Sequence, residues 1–517
     1  MFHRNNAQNE HILASYLQTQ EFLSIDTKAL MHEYTSVDAK ALQQAGFQNA
    51  LLLFREAAER IPAYRDFLKR HNVSAESINT YQDFQNLPVT NKKNYLRAYS
   101  LKELCWDGNL KGLSLFSSSS GSTGEPFVWP WGEAQKAEGA LELESVFPAV
   151  FEMDRYSTLY IDCFAMGTWI GGMFTCACME YLSLKGYPLS TITPGLDKNT
   201  TFALFQKIAP EFDQVIFGGY PPFIKDLLEE GRGLGIDWKQ HRIKFFFAAE
   251  GFSERWRDRV HQIVGATDPL TTSINIYGSA DAGILAHETP LTTAIPRAVC
   301  DEPQHMQHLF TKSHLPTLAQ YDPRIKFFEA LDQSFVFTTR SGIPLIRYNI
   351  GDTGNVYEFH DMERRLVELS IDMQHLLSRD EQAKYYWKLP FIYLFGRSDL
   401  TISLYGLLIY PEHVKFGLER QAFQGAITGK FVMAVEFDDD QNPYFYLAVE
   451  LAPGVRPDVR LRDEIQLAVI EGLRTINGEY YNLESMVKER AFPHVELIEY
   501  NVSAYFRTGT KQKWVKQ

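Results

Sequence analysis

Residues Ser117 to Pro126, reading SSSSGSTGEP, concentrate the groups a polyanion needs: many backbone N–H groups and hydroxyls with little side-chain bulk. Glycine lets a backbone approach phosphate closely, and successive amides with Ser or Thr hydroxyls can point at its oxygens. The same composition also describes a flexible linker. A Walker loop is excluded, because Glu125 and Pro126 follow Gly124 where that motif has Lys and then Ser or Thr. The flanks favour a built loop: LKGLSLF runs in, and Phe127, Val128, Trp129 and Trp131 follow, so strand-forming segments lie on both sides. In such a loop Ser119, Ser120, Gly121, Ser122, Thr123 and Gly124 are candidates to close over the β and γ phosphates of a nucleotide.

Other chemistries are less supported. Cys176 and Cys178 share a face of a strand or diverge on a helix, and buried thiols are the simpler reading. Cys300 with His287, His305 and His308 lacks the paired short spacing of a zinc site. Five cysteines in 517 residues fit reduced thiols. The formal net charge of −13, with no Lys/Arg run, argues against nucleic acid as partner. The amino-terminal MFHRNNAQNEH has no apolar h-region, and no segment approaches the roughly 18 apolar residues of a bilayer span. A cytoplasmic protein is expected.

The elements that position these residues read as α/β. At 517 residues and 45% apolar content the chain exceeds one core, so at least two domains are expected. Residues 1–110 read as a helical part of a large domain. Residues 111–396 alternate short β-like runs with helical patterns: STLYIDCF, FDQVIFGGY, RIKFFFAAEG, TTSINIYGS, SFVFTTR and PLIRYNIGD each end in small or polar residues. Charge at helical spacing over 361–392 predicts an exposed amphipathic helix. Beyond GRSD at 396–399 the style changes: a hairpin with an acidic turn, a helix over about Val459–Gly478 and a strand at VELIEY predict a small α+β domain over 400–517.

Taken in order, IPAYRDFLKR, FQNLPVTNKKNYLRAY, SSSSGSTGEP, AAEGFSERWRDRV, NIYGSADAG, PLIRYNIGDTG, GRSDLTISLYGLLIYPEHV and RTGTKQKWV resemble the adenylate-forming acyl-CoA synthetase superfamily, most closely its phenylacetate-CoA ligase branch. The resemblance spans about residues 60–517. It implies a large amino-terminal domain and a smaller mobile carboxyl-terminal one, turning about Asp399. It implies ATP, Mg²⁺ and coenzyme A as cofactors, and a carboxylic acid activated as acyl-adenylate before transfer to CoA.

By this resemblance Ala249 and Glu250 frame adenine, Asn275 and Tyr277 bind and stack on it, and Gly278 follows in the same motif. Asp352 and Arg397 hold the ribose, Asp281 carries Mg²⁺, and Lys511 offsets charge between carboxylate and α-phosphate. Phe164, Trp169, Gly219 and Tyr220 line the acyl site, whose aromatic walls suit an aryl or medium-size apolar acid. Each has a plainer counterpart: Ser253 as a helix N-cap after an ordinary turn, Tyr277 as core, Asp352 and GRSD as turns. The chain departs from the family pattern at Ala280 (usually Thr or Ser), Asp281 (usually Glu), Tyr405 (commonly Arg in this branch), Thr510 (usually Gly) and Trp514 (usually Arg). These leave two alternatives: transfer to a carrier-protein thiol or an amine, or a nucleotide-binding scaffold without turnover.

Overall fold

Long apolar runs that would be too hydrophobic for a half-solvated strand fall in the middle of one sheet. The computed structural model describes residues 19–119, 127–311, 316–332, 334–397, 401–500, 502, 503 and 506, and the chain divides into two compact units. The first comprises residues 1–118, 128–219 and 224–396; the second comprises 119–127, 220–223 and 397–517.

In the first unit, helices Thr27–Ser36, Ala39–Arg60 and Pro62–Arg70 lead, and Asp26 and Asp38 side chains cap the first two by accepting backbone N–H bonds. Strands β1 (Leu113–Ser119) and β2 (Phe127–Gly132) form a two-stranded sheet, as the apolar flanks of the Ser-rich loop predict. The large sheet contains β3 (Thr158–Cys163), β4 (Leu189–Ile192), β5 (Gln214–Gly219), β6 (Arg242–Ala248), β7 (Ser273–Ser279) and β8 (Gly283–His287). It continues with β9 (Thr317–Gln320), β10 (Lys326–Leu331), β11 (Ser334–Thr339), β12 (Leu345–Tyr348), β13 (Asp352–Tyr357) and β14 (Phe391–Arg397).

Their order is β10-β11-β13-β14-β9-β8-β7-β6-β5-β3-β4, with β12 paired to β11. The portion β4-β3-β5-β6-β7 is parallel; from β7 onward the pairings of β8, β9 and β14, and of β10 with β11, are antiparallel. Parallel strands are covered on both faces, which is why VIF and FFF run apolar without alternation. Phe147, from helix Glu133–Phe151, and Phe164 meet Phe246 edge-on from one side. On the other, Phe205, Phe217 and Phe245 stack in series toward His261 of helix Glu254–Ile263.

The second unit carries the hairpin β15 (Ile402–Leu404) and β16 (Leu407–Ile409). Its three-stranded sheet has β17 (Ile427–Phe437) antiparallel to β18 (Pro443–Leu451), and β18 parallel to β19 (Pro493–Ile498). Helix Pro411–Leu418 packs on helix Val459–Ile476 through Gly417, where a Cβ would lie 2.6 Å from the Val469 Cα. The expected hairpin, helix and strand are all present; a further helix, Gly478–Val487, follows the first.

The region 361–392 departs from expectation. Instead of one exposed amphipathic helix, helix Phe359–Glu368 ends before Ser370, which has φ +61°, and a separate helix spans Arg379–Tyr385. Met362, Leu366, Met373, Leu377 and Tyr385 are buried in one hydrophobic cluster with Leu318, Phe391 and Tyr393. The charge pattern marked only the outer face; burying the apolar residues on both sides of the break outweighs one continuous helix. Cys176 and Cys178 lie on helix Ile170–Leu184, so their side chains diverge, Cys178 inward. Among the described residues no helix is long and apolar enough to cross a membrane.

Candidate active site

The carboxyl ends of β6 and β7 deliver two of the predicted segments side by side. Beyond Ala248 the chain turns at Ala249, whose φ of +74° is a left-handed conformation a non-glycine residue adopts at a cost of roughly 1–2 kcal/mol. The turn places the Glu250 carbonyl to accept a hydrogen bond from Asn275 Nδ2 at 3.0 Å. Ser253 does cap the helix that follows, its Oγ accepting Trp256 N at 3.2 Å. The plain reading of this turn is therefore met.

Asn275 is held rigidly. Its backbone N–H donates to Glu288 Oε2 at 2.7 Å, and its carbonyl accepts Glu288 N at 2.8 Å. Arg257 binds Glu288 through two nitrogens, at 2.7 and 3.1 Å, and Ser273 Oγ at 2.9 Å, so helix Glu254–Ile263 is bolted to β7. Burial raises the Glu288 carboxyl, an effect offset by the Arg257 guanidinium. His261 is pushed down to about 3, by burial first and then by Arg257, so it is neutral here. Asn275 is only 3% exposed and its Oδ1 has no hydrogen-bond partner among the described residues.

Two residues along β7, the Tyr277 hydroxyl donates to Asp352 Oδ2 at 2.5 Å, joining residues 75 apart in sequence. Gly278 lies close against β8, where a Cβ would stand 3.0 Å from the Gly283 carbonyl oxygen. In the β7–β8 turn, Asp281 is 3% exposed, its Oδ2 accepting the Tyr348 hydroxyl at 2.7 Å and its Oδ1 facing Lys92 Nζ at 3.6 Å. The structure thus brings Asn275, Tyr277, Asp281 and Asp352 into one cluster.

Lys92 and Tyr348 escaped the sequence reading. Both lie inside quoted motifs, FQNLPVTNKKNYLRAY and PLIRYNIGDTG, but they meet Asp281 only through tertiary structure. Thr90 docks on β12: its N–H donates to the Arg347 carbonyl at 3.1 Å, its hydroxyl to Ile346 O at 2.8 Å, and its carbonyl accepts Asn349 N at 2.8 Å. Arg347, at φ +44°, reaches Glu329 Oε2 at 3.1 Å and the Leu87 carbonyl. Asn91 then caps the short π-helical turn Lys92–Leu96, and the Lys92 ammonium stands over the Trp129 ring.

The Ser-rich strand is anchored at its start. Ser117 Oγ accepts Trp131 Nε1 at 2.8 Å, and Ser118 bonds Thr168 through both its backbone and its hydroxyl. Ser119 ends β1; Ser120, Gly121, Ser122, Thr123 and Gly124 lie outside the described residues, as do Asp399 and Lys511 and the side chains of Ser119 and Arg397. Arg397 ends β14. Of the acyl candidates, Phe164 is buried against Phe246, Trp169 is the half-buried N-cap of helix Ile170–Leu184, and Gly219 ends β5. Tyr220 is buried and falls in the second unit.

No protein-family model and no curated protein sequence matches the chain. Solved structures do. 2-Hydroxyisobutyryl-CoA ligase, in complex with 2-HIB-AMP and CoA in the thioesterification state, aligns with TM-score 0.63 and 16% identity over 94% of this chain and 91% of that one. Its open conformation gives TM-score 0.53 over 94% and 93%, again at 16% identity. Its postadenylation state with 2-HIB-AMP gives 0.54 over 94% and 91%, also at 16% identity. The chain has the adenylate-forming enzyme fold. At this identity the likeness carries fold and not substrate.

Asp281 Oδ1 accepts no hydrogen bond among the described residues and faces the Lys92 ammonium at 3.6 Å. No group of three or more His, Cys, Asp or Glu able to hold a metal occurs among the described residues, so an Mg²⁺ here would rely on this one carboxylate, with phosphate oxygens and water completing its shell.

Proposed function

We propose that this protein activates a carboxylic acid with ATP, forming an acyl-adenylate and pyrophosphate, and then transfers the acyl group to CoA. The observation that carries this reading is the Tyr277–Asp352 bond, which joins the start of β13 to β7, the strand that also carries Asn275 and leads into the turn holding Asp281. In an open α/β sheet the crevice beyond the carboxyl ends of the strands is where ligands bind.

In this reading Asn275 Oδ1 accepts from an exocyclic amine, and Tyr277 presents its ring to adenine. Asp352 accepts hydrogen bonds from the ribose hydroxyls, a role that the family resemblance extends to Arg397. Asp281 would hold Mg²⁺, which when bound neutralises phosphate charge. Lys92, with its ammonium at the same carboxylate, adds positive charge where the polyphosphate of ATP lies. The Ser119–Gly124 segment supplies amides and hydroxyls, and Lys511 supplies the cation between carboxylate and α-phosphate. The acid's oxygen forms a bond to the α-phosphorus as the bond to pyrophosphate breaks; a thiol sulfur then bonds the acyl carbon as AMP leaves. No protein nucleophile is required, because the work is alignment of two anions and relief of their repulsion. Phe164, Trp169, Gly219 and Tyr220 favour an aryl or medium-size apolar acid, in the phenylacetate-CoA ligase manner.

A second acceptor has one observation in its favour. Tyr405 stands where the branch commonly has Arg, at φ +50° with Gly406 at +78° in the tight turn joining β15 to β16. That substitution removes a cation and is compatible with a carrier-protein thiol or an amine in place of CoA. Pyrophosphate release with MgATP over a panel of aryl and fatty acids, with and without CoA, tests both. Acid-dependent release stimulated by CoA supports the ligase; acid-dependent release indifferent to CoA selects the other acceptor. Silence across the panel with ATP still bound overturns carboxylate activation and favours a nucleotide-binding scaffold.

A further inference from the structure

Two buried polar groups near the carboxyl end of β3 have no hydrogen-bond partner among the described residues: Tyr160 Oη and Asp162 Oδ2. Neither residue exposes any surface. Asp162 Oδ1 is engaged, accepting Phe164 N at 3.0 Å, which fixes the carboxyl and leaves its second oxygen turned away from that bond. Residues two apart in a strand share a face, so Tyr160 and Asp162 look the same way.

That face is shaped to admit the phenol. Asp162 pairs in register with Gly218 of β5, and a Cβ on Gly218 would lie 1.9 Å from the Tyr160 hydroxyl oxygen. The hydroxyl therefore lies over the glycine beside Asp162. The next pair in the same ladder is Cys163 with Gly219, so Tyr160 and Asp162 lie just before the acyl candidate Phe164 in the chain, and Tyr160, like Phe164, packs on Phe246. Burial raises the Asp162 carboxyl well above the usual carboxylate range, which favours its protonated, donating form. A buried polar atom without a partner is costly; other such atoms occur among the described residues, and this pair is set apart by lying toward the carboxyl end of a parallel strand, where open α/β sheets bind ligands.

We propose that Asp162 and Tyr160 form the polar floor of the acyl site and recognise a hydroxyl on the acyl chain, so that the substrate is a hydroxylated carboxylic acid. The inference rests on the reading of the chain as a carboxylate-activating enzyme. A hydroxyl is the group that fits: it accepts from the Asp162 O–H and donates to Tyr160 Oη, satisfying both atoms at once. A plain alkyl or phenyl end would leave both unpaired, and a site built to bond a substrate hydroxyl discriminates strongly against the analogue without it.

The test compares matched acids, 3-(4-hydroxyphenyl)propanoate with 3-phenylpropanoate and 10-hydroxydecanoate with decanoate, in MgATP-dependent pyrophosphate release. In at least one pair the wild-type protein should favour the hydroxylated acid by about 10- to 100-fold in kcat/KM. Tyr160→Phe, which keeps the ring, and Asp162→Val should each move that ratio toward one, while Asp162→Asn, which retains a donor, should keep part of it. A ratio near one in both pairs, or a preference that neither variant alters, overturns the proposal. If no acid supports release, the activation reading fails and calorimetric Kd values for the same pairs still test the floor: a preference lost in Tyr160→Phe supports it, and equal affinities overturn it.

Discussion

The proposed nucleotide end of the large sheet and its proposed acyl end treat buried polar groups in opposite ways. Around β7 and β8, Tyr277 binds Asp352, Tyr348 binds Asp281, and Arg257 binds Glu288, which in turn holds the Asn275 backbone. At β3, Tyr160 Oη and Asp162 Oδ2 have no partner among the described residues. Groups that bond one another form a scaffold set before any ligand arrives; in the proposed acyl site the open pair at β3 awaits a ligand's own polar atoms. Asn275 shows both behaviours in one side chain, its Nδ2 tied to Glu250 and its Oδ1 open.

The sharpest break of this contrast lies at the nucleotide end. Glu288→Ala takes one carboxylate from the buried Arg257 guanidinium, which keeps Glu254 at 3.1 Å, so the loss should fall below the about 3–5 kcal/mol of breaking a lone buried pair. Chemical denaturation should show that loss, with Glu288→Gln losing less. Asp281→Ala should then lower the rate of adenylate formation by about 10²- to 10³-fold, the scale of removing one electrostatic stabiliser, with some loss of Tm because the buried carboxylate also holds the Tyr348 hydroxyl. Pre-steady-state pyrophosphate release reads it.

The acyl end is broken by adding bulk. Gly218→Ala sets a methyl against the Tyr160 hydroxyl and should cost about 1–3 kcal/mol by overpacking, seen as a lower denaturation midpoint. Tyr160→Phe in the same chain should recover part of it.

A separate effect is expected in pH. His261 titrates near 6.5 when unfolded and at about 3 when folded, because burial and Arg257 disfavour its cation. The unfolded chain therefore binds the extra proton first, so His261 costs nothing above about pH 6.5 and progressively destabilises the fold as pH falls toward 3. His261→Gln should flatten that acid limb in denaturation midpoints taken between pH 7 and 4.

Much of this contrast was legible in the sequence, and the illegible part has a physical pattern. Strand-forming runs such as QVIFGG and FVMAVEF sit where their apolar content predicts, because local propensity and burial agree there. Over 361–392 they disagree: charge at helical spacing described the solvent side, while Met362, Leu366, Met373 and Leu377 answered to a core assembled from distant strands. Asn275, Tyr277, Asp281 and Asp352 could be named because they stand in recognisable motifs. Lys92 could not, since its relation to Asp281 exists only after Thr90 has docked on β12. Tyr160 and Asp162 looked like ordinary strand residues, because a missing hydrogen bond leaves no trace in sequence.

The central claim is that the protein makes an acyl-adenylate, and direct detection tests it most closely. Protein mixed with MgATP and each acid of the panel, quenched and analysed by mass spectrometry, should yield acyl-AMP and pyrophosphate. Lys511→Ala should abolish that product yet still transfer supplied acyl-adenylate to thiol. Formation of ADP and phosphate instead, or equal loss of both half-reactions in Lys511→Ala, would contradict the account.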